Sequence, residues 1–268
     1  MQTISKWTML PLLFVVALFI ISVFFPLLPF QDPDRIDLDS ISKSPCMEHP
    51  FGTDSKGRDI FARVISGGKI SIGVAITGAL ISAVIGFAAG LAAGYFGGTF
   101  DTVVMSIVDL VLSFPSLLLA VAISVVLPPG IYTVTIALAA VGWTSFARLI
   151  RGRIMTLKDM AFVDAARAVG CSDTRILFLH LAPHCVPLAF VLMGIKLGGF
   201  LITEATLSFL GLGAQPPTAT WGSMISANRT YVLNAPWMVL YPGIALSLTA
   251  LCFNLLGETL KKRYSVEP

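Results

Sequence analysis

Residues 70–96 read ISIGVAITGALISAVIGFAAGLAAGYF, an apolar stretch without a charged side chain. An α-helix rises about 1.5 Å per residue, so about 20 residues cross the roughly 30 Å hydrocarbon core of a bilayer. The stretch is long enough, and its apolar residues are continuous rather than alternating, which favours a helix over a strand of a membrane barrel. It therefore predicts a transmembrane helix.

Five other apolar runs have the same character. They lie at approximately 7–28, 103–127, 131–150, 187–210 and 237–256. The composition agrees, because 56% of the residues are hydrophobic and only 12% are charged, against about a quarter charged in soluble domains. We interpret the chain as all-α, with one transmembrane domain over residues 1–268 that forms a polytopic bundle of about six transmembrane helices.

The first run has one property of a secretory signal, since Lys6 precedes it. However, the segment from Val15 to Pro29 is bulky and lacks the pattern of small residues that a signal peptidase cleaves. We therefore expect an uncleaved first span.

Basic residues indicate the orientation, because they favour the cytoplasmic side of a membrane. They cluster in the loop at 151–186 and after the last run, at Lys261, Lys262 and Arg263. The loop at 31–69 also carries basic residues, but aspartates and glutamates offset them there. We predict that both termini and the loop at 151–186 are cytoplasmic, and that the loop at 31–69 lies outside.

A polar island interrupts the apolar chain at residues 164–183, which read DAARAVGCSDTRILFLHLAP. Just upstream, Thr156 and Asp159 match a capping box, which predicts the start of a helix there. One face of this helix would hold the apolar residues Phe162, Ala165, Ala166 and Val169. On the residues alone, a solvated helical loop and a docking element for another protein remain alternatives.

The rest of the island predicts a turn and a second helix. Gly170 is a candidate C-terminal stop, because glycine readily adopts the left-handed conformation that ends many helices. Ser172 and Asp173 can open another helix, which Pro183 would close. The island is therefore predicted to be two short helices around a glycine hinge.

The island resembles the EAA loop of permease subunits in ATP-binding cassette (ABC) importers. The matching positions are Asp164, Ala165, Ala166, Gly170 and Pro183. The sequence departs from the pattern at Asp164 in place of Glu, at His180 in place of Ile and at Ala182 in place of Leu. The resemblance implies a coupling helix that contacts an ATPase, with the coupling residues Asp164, Ala165, Ala166, Arg167, Gly170, Arg175 and Pro183.

Four other segments are similar to the peptide and nickel branch of that family. They are FGTDSKGRDIFARV at 51–64, AAGYFGG at 92–98, DLVLSFPSLLLA at 109–120 and EATLSFLGLG at 204–213. The resemblance implies a permease subunit in a bacterial cytoplasmic membrane that carries peptides, with chelated nickel as the second choice. It also implies the partners: a homologous permease subunit, two ATPase subunits and an extracytoplasmic solute-binding protein, together with the lipid bilayer.

Asp109, Lys196 and Glu204 are ionisable residues within predicted spans, where charge is expensive and usually faces a pathway or a partner. All three are candidates for a pathway or a gate, and for Glu204 a structural anchor is an equal alternative. Asp109 and Lys196 are predicted at similar depth, so they form an ion pair or else the lysine faces the pathway. The same residues suit a rival class, a proton-coupled secondary transporter, but such proteins normally show internal repeats that this chain lacks.

The sequence holds no convincing motif for catalysis or for a cofactor. The segment at 67–71 approaches a phosphate-binding loop but lacks its glycine spacing and the hydroxyl after lysine. Cys46, Met47 and His49 are possible soft-metal ligands, but without a fixed fourth ligand they predict no metal site. No basic and aromatic groove indicates nucleic acid. We therefore expect a non-catalytic subunit without a metal or cofactor.

Gly86, Gly90 and Gly94 recur every four residues along the second run. This small-xxx-small pattern lets two helix backbones approach closely. We expect these glycines to pack against the partner permease or against the third span.

Overall fold

The computed structural model describes residues 6–25 and 32–264. Its described residues form helices and connecting loops without a strand, which confirms the predicted all-α class. Four helical segments are long and apolar enough to cross a membrane, namely Ile60–Phe96, Ile131–Leu157, Asp173–Phe209 and Trp237–Lys262. A bent pair of helices adds a fifth candidate if the pair is counted as one span.

The helices are numbered here in chain order. The first five are α1 (Lys6–Phe24), α2 (Ile60–Phe96), α3 (Gly98–Leu112), α4 (Ser116–Val126) and α5 (Ile131–Leu157). The next three are α6 (Ala161–Ala168), α7 (Asp173–Arg175) and α8 (Ala182–Phe209), with a π-helical segment, Ile176–Leu181, joining α7 to α8. The last two are α9 (Trp221–Asn228) and α10 (Trp237–Tyr264).

One predicted span differs from the structure. The span predicted at 103–127 is not one helix, because α3 and α4 meet at 93°. Pro115 explains the break, since proline has no N–H for the helix and disfavours the helical conformation in the residue before it. The first predicted span, 7–28, corresponds to α1, which runs over Lys6–Phe24; residues 26–28 of that prediction lie outside the described residues.

Several helices extend past the apolar runs that predicted them. The second begins at Ile60 rather than at 70, so residues 60–69 of the predicted outer loop are helical. Asp59 fixes this start, because its carboxylate accepts a hydrogen bond of 2.7 Å from the Ala62 N–H. Helices α5 and α10 likewise continue past 150 and 256. An apolar run indicates only the part of a helix that can lie in the hydrocarbon core of the bilayer. The backbone hydrogen bonds of the helix continue into the polar residues beyond that run.

Helices α2 and α5 approach each other closely, and glycines make this possible. A Cβ atom on Gly86 would lie 2.3 Å from the carbonyl oxygen of Trp143, and one on Gly90 would lie 2.5 Å from that of Ala147. A Cβ atom on Gly94 would lie 2.8 Å from the Cβ atom of Ile154. The predicted partner of the glycine pattern is therefore wrong: the three glycines pack against the chain's own fourth apolar run, not against its third or against another subunit.

The main apolar core lies between α2, α5, α8 and α9, where Ile72, Leu201, Leu207 and Trp221 are completely buried. The Trp221 indole N–H donates a hydrogen bond of 2.8 Å to the Val64 carbonyl. A second core, around Leu91, Ile150 and Leu181, lies at the other end of α2. Residues of the polar island, among them Ala166 and Leu181, belong to this second core.

Candidate coupling and pathway sites

Helix α6 is mounted on the second core by one narrow face. Val163 is completely buried and Ala166 nearly so, and both belong to the cluster that contains Ile150 and Leu181. Of the apolar face predicted from spacing, only Ala166 is turned toward this core, whereas Phe162 and Val169 are exposed. Most of the apolar surface of α6 points away from the chain's own interior.

The start of α6 also differs from its prediction. Thr156 does not cap it, because this residue lies in the last turn of α5 and its hydroxyl donates to the Gly152 carbonyl at 3.2 Å. Helix α6 begins at Ala161, after Met160, without a side-chain cap. The capping-box prediction failed because α5 continues through the threonine.

Helix α6 ends at Ala168, and Gly170 follows as the predicted C-terminal stop. Gly170 has a φ of +80°, and its N–H donates to the Arg167 carbonyl at 2.9 Å. The Cys171 N–H donates to the Ala166 carbonyl at 3.0 Å. These two bonds form a Schellman motif, which requires a left-handed residue and therefore favours glycine.

The predicted second short helix is wrong, because the chain after the glycine runs without interruption into a transmembrane candidate. The helical segment extends from Asp173 to Phe209. Pro183 lies in the first turn of α8 and does not close the unit. The π-helical segment precedes it, and there the Ala182 N–H donates to the Leu177 carbonyl, five residues back. This wider turn accommodates a proline, which cannot donate and whose ring crowds a normal α-helical turn.

The charged residues of the island are exposed and close to α6. Arg167 and Asp164 form an ion pair of 3.2 Å along the helix, and Arg175 is exposed one turn into the next helical segment. The Tyr95 hydroxyl donates to the Asp173 carboxylate at 2.6 Å, which joins the end of α2 to the start of α7. The predicted coupling residues thus lie on one compact unit, with Ala166 turned inward and the others at the surface.

The structure contradicts one of the two alternatives for Lys196, the ion pair with Asp109. Asp109 pairs instead with Arg148 of α5. A second ion pair joins the same helices, between Asp101 and Arg151. The reason is that α3 packs on α5 rather than on α8, so similar depth in the membrane does not bring Asp109 to the lysine.

Glu204 lies inside the main core with an exposed fraction of only 1%. Its Oε1 accepts a hydrogen bond of 2.7 Å from the Ser208 hydroxyl, while Oε2 has no hydrogen-bond partner among the described residues. The neighbouring Ser71 hydroxyl accepts the Trp221 backbone N–H. These contacts favour the anchoring interpretation of Glu204; a role in a gate stays a prediction.

Lys196 lies near the middle of α8 and lines a cavity of about 410 Å³ between α4, α5 and α8. Among the described residues it forms no ion pair. Neither Asp109 nor Glu204 lines this cavity.

Sequence reasoning missed the structural role of the 51–64 motif. Asp54 is buried and accepts hydrogen bonds from two backbone N–H groups and from the Arg58 guanidinium. Asp59 caps α2 and also contacts His49 Nδ1 at 2.8 Å. At Gly57, which has a φ of +73°, a Cβ atom would lie 1.7 Å from the Asp37 carbonyl oxygen. The motif therefore builds a compact loop that starts α2.

A buried arginine ties this loop to two distant segments. Arg63 pairs with Asp34 at 2.7 Å and donates to the carbonyls of Pro33 and Pro217. His49 is committed to Asp59, whereas Cys46 and Met47 are exposed. Within residues 6–25 and 32–264, no group of three or more His, Cys, Asp or Glu side chains is arranged to hold a metal ion.

A helical bundle with several membrane-spanning candidates is consistent with a membrane permease. Residues 86–266 match the family described as "Binding-protein-dependent transport system inner membrane component". Because this match covers more than half of the chain, the chain belongs to that family of importer permeases. The resemblance inferred from the sequence motifs is confirmed.

Individual relatives agree with the family. The chain is 45% identical over 249 residues to the glutathione transport system permease protein GsiD of Salmonella paratyphi A, across 92% of this chain and 82% of that protein. It is 43% identical over 250 residues to the protein of the same name from Shigella flexneri serotype 5b, across 93% and 82% of the two chains. Both relatives are named as permease proteins of a transport system.

A solved structure has a similar fold. It is a chain of the MetNI methionine ABC transporter in an inward-facing conformation, with a TM-score of 0.58 over 75% of this chain and 95% of that chain. Sequence identity is 18%, so this likeness concerns the fold alone.

Proposed function

We propose that this chain forms half of the translocation pathway of a peptide importer and that α6 docks on an ATPase subunit. A homologous permease supplies the other half, two ATPase subunits bind at the cytoplasmic end, and an extracytoplasmic solute-binding protein delivers the cargo. Both termini and α6 are cytoplasmic, and the loop that precedes α2 lies outside the bacterial inner membrane. Family membership supports the importer role, and the two faces of α6 support the docking role.

The observation that carries the docking proposal is an apolar surface on α6 that the chain itself leaves uncovered. Val163 and Ala166 hold the helix to the bundle, whereas Phe162, Ala165 and Val169 remain exposed. Val169 is 84% exposed. An amphipathic helix with such a face commonly fills an apolar groove on a partner. The ion pair beside that face would fix the register of docking more than its affinity.

The connection from α6 to the membrane supports transmission of movement. From Asp173 the chain is one helical segment to Phe209, and a hydrogen bond from Tyr95 joins its start to α2. A displacement of α6 would therefore move α8 as a rigid element, whereas a long flexible loop would absorb it. Closure of the ATPase dimer is the movement that this arrangement suits.

The proposed cargo is a short peptide, and chelated nickel is the second choice. The relatives described above are named for transport of glutathione, which is itself a small peptide. A proton-coupled secondary transporter is not favoured. Its three proposed residues do not form one relay, since Asp109 pairs with Arg148 and Glu204 with Ser208, while Lys196 has neither as a partner.

A pair of matched substitutions tests the docking surface. Val169→Asp places a charge on the exposed face of α6, whereas Leu233→Asp places one on a residue that is 91% exposed in the loop before α10. A carboxylate buried without a partner in an apolar groove should weaken docking by on the order of tenfold or more. We expect Val169→Asp to reduce peptide uptake and the amount of ATPase subunit that co-purifies with the tagged chain. With Leu233→Asp the amount of co-purified ATPase subunit should stay at the wild-type level. Normal ATPase retention and uptake with Val169→Asp would contradict the proposal.

A further inference from the structure

The cavity around Lys196 is a candidate binding site within the membrane-spanning part of the chain. It has a volume of about 410 Å³ and is bounded by α4, α5 and α8. Its wall is largely apolar, with Leu138, Val141 and Phe200. Gly199 also borders it, and a Cβ atom there would meet nothing within 4 Å. An apolar cavity with a few convergent polar groups is the usual form of a small-molecule site.

Three of the four polar side chains that line the cavity have no hydrogen-bond partner in the described part of the chain. Lys196 has no ion pair or hydrogen bond within the described part of the chain, and the hydroxyl groups of Ser116 and Ser145 have no hydrogen-bond partner there either. The Thr203 hydroxyl donates to the Gly199 carbonyl at 2.9 Å. No aspartate or glutamate lines the cavity. Its net formal charge is therefore positive.

The two acidic residues of the other predicted spans, Asp109 and Glu204, have partners elsewhere. Asp109 is held by Arg148, and Glu204 accepts from Ser208 inside the main core. Ammonium groups within a membrane normally pair with an anion or face a wet pathway. The cavity therefore has an unpaired positive charge and two hydroxyl groups without hydrogen-bond partners. These features suit an anionic group that enters from outside the chain.

We propose that this cavity is a carboxylate-binding site, in which the Lys196 ammonium, assisted by the hydroxyls of Ser116 and Ser145, holds the terminal carboxylate of the cargo during passage. This rests on the proposed function, because a peptide importer must move such a carboxylate across the membrane. A single cation with two neutral donors gives a transient site, since it offers no bidentate clamp of the kind an arginine provides.

The charge of the cavity can be measured without knowing the cargo. The assembled transporter carries Thr203→Cys, with Cys46, Cys171 and Cys252 changed to Ser and the buried Cys185 left in place. The rates of modification by anionic sulfonatoethyl methanethiosulfonate and by its cationic trimethylammonium analogue are compared. Lys196→Met and Lys196→Gln should each lower the ratio of anionic to cationic rates by on the order of tenfold, whereas Lys196→Arg should retain it. Met47→Cys, on a fully exposed side chain of the outer loop, gives the control ratio, which should not change.

Recognition of the carboxylate is measured by transport. Proteoliposomes with the whole transporter and its solute-binding protein receive either trialanine or trialanine amide, which lacks the terminal charge. For each peptide the uptake by a variant is divided by the uptake by the wild type, so that the preference of the solute-binding protein cancels. Lys196→Gln should lower trialanine uptake several-fold and leave uptake of the amide nearly unchanged.

The outcomes separate the two proposals. An unchanged modification ratio in both neutral variants overturns the binding site, because the lysine then does not govern the charge of the cavity. A changed ratio with equal loss of both peptides also overturns it, since the lysine would then serve assembly or a pairing with another subunit. A changed ratio in a transporter whose wild type imports neither peptide supports the anion site and contradicts the peptide cargo.

Discussion

Arg151 of α5 holds Asp101 of α3 through two parallel hydrogen bonds, from Nε to Oδ1 at 2.5 Å and from Nη2 to Oδ2 at 2.6 Å. The two side chains are only 30% and 16% exposed. Two-point contacts between a guanidinium and a carboxylate are among the stronger interactions in proteins, because both partners are charged and planar. This pair joins a helix of the bent unit to the helix that leads to α6.

The first prediction follows from this pair. Arg151→Gln should lower the free energy of unfolding by about 1–3 kcal/mol, since it leaves a partly buried carboxylate without its cation. Adding Asp101→Asn should recover part of the loss, because the double variant has no unpaired charge. Thermal unfolding of the detergent-solubilised complex measures both, and a double variant as unstable as the sum of the two single variants would show that the residues do not interact.

The second prediction concerns the close contact of α2 with α5. Gly90→Ala should destabilise the fold by about 1–3 kcal/mol, because its Cβ would lie 2.5 Å from the Ala147 carbonyl oxygen and the backbones would have to separate. Gly73→Ala in the same helix meets nothing within 4 Å and serves as the matched control. It should unfold at the wild-type temperature or slightly above it. Equal stability of the two variants would remove the argument for close packing at Gly90.

The third prediction concerns the end of α6. Gly170→Val should strain the left-handed residue by at least about 1–2 kcal/mol and loosen the junction between α6 and α7. Gly152→Ala is the control, because this glycine lies within α5 at an ordinary φ with open space around it. In proteoliposomes, Gly170→Val should lower the peptide imported per ATP hydrolysed, while Gly152→Ala should not. A normal ratio with Gly170→Val would mean that the hinge does not transmit movement.

The membrane topology gives a fourth prediction. In intact cells an impermeant thiol reagent should label the exposed Cys46 and a cysteine introduced at Thr218. It should not reach Cys171, which follows α6 and should react only after permeabilisation. Cys185 is buried and should be protected under both conditions. Labelling of Cys171 from outside would reverse the orientation and place α6 where no cytoplasmic ATPase can bind it.

The helices were predictable where long apolar runs required them, but their ends and bends were not. Apolar length alone does not reveal that Pro115 turns one predicted span by 93° or that Asp59 starts α2 ten residues early. Pro183 was misleading for a related reason, because the preceding π-helical turn lets the helix continue through a residue that usually ends one. These outcomes depend on local hydrogen bonds that hydropathy does not record.

The candidate sites were predictable as a set of residues and not as a set of contacts. The island at 164–183 was recognisable because polar residues within an apolar chain need a partner or solvent. Which face of α6 is buried depends on the position of the second core, so Val163 was missed. The partner of Asp109 depends on which helix lies beside α3, and depth along the membrane normal does not determine that.

The docking of α6 on an ATPase is tested most directly by a photo-crosslink from the exposed apolar face. Benzoyl-phenylalanine replaces Phe162, which is 37% exposed on α6, or Phe190, which is 53% exposed within α8, in cells that express the whole transporter. Illumination at Phe162 should yield an adduct with an ATPase subunit, identified by mass spectrometry, whereas illumination at Phe190 should not. No ATPase adduct from Phe162, in a complex that still hydrolyses ATP and imports its cargo, would contradict the assignment of α6 as the coupling helix.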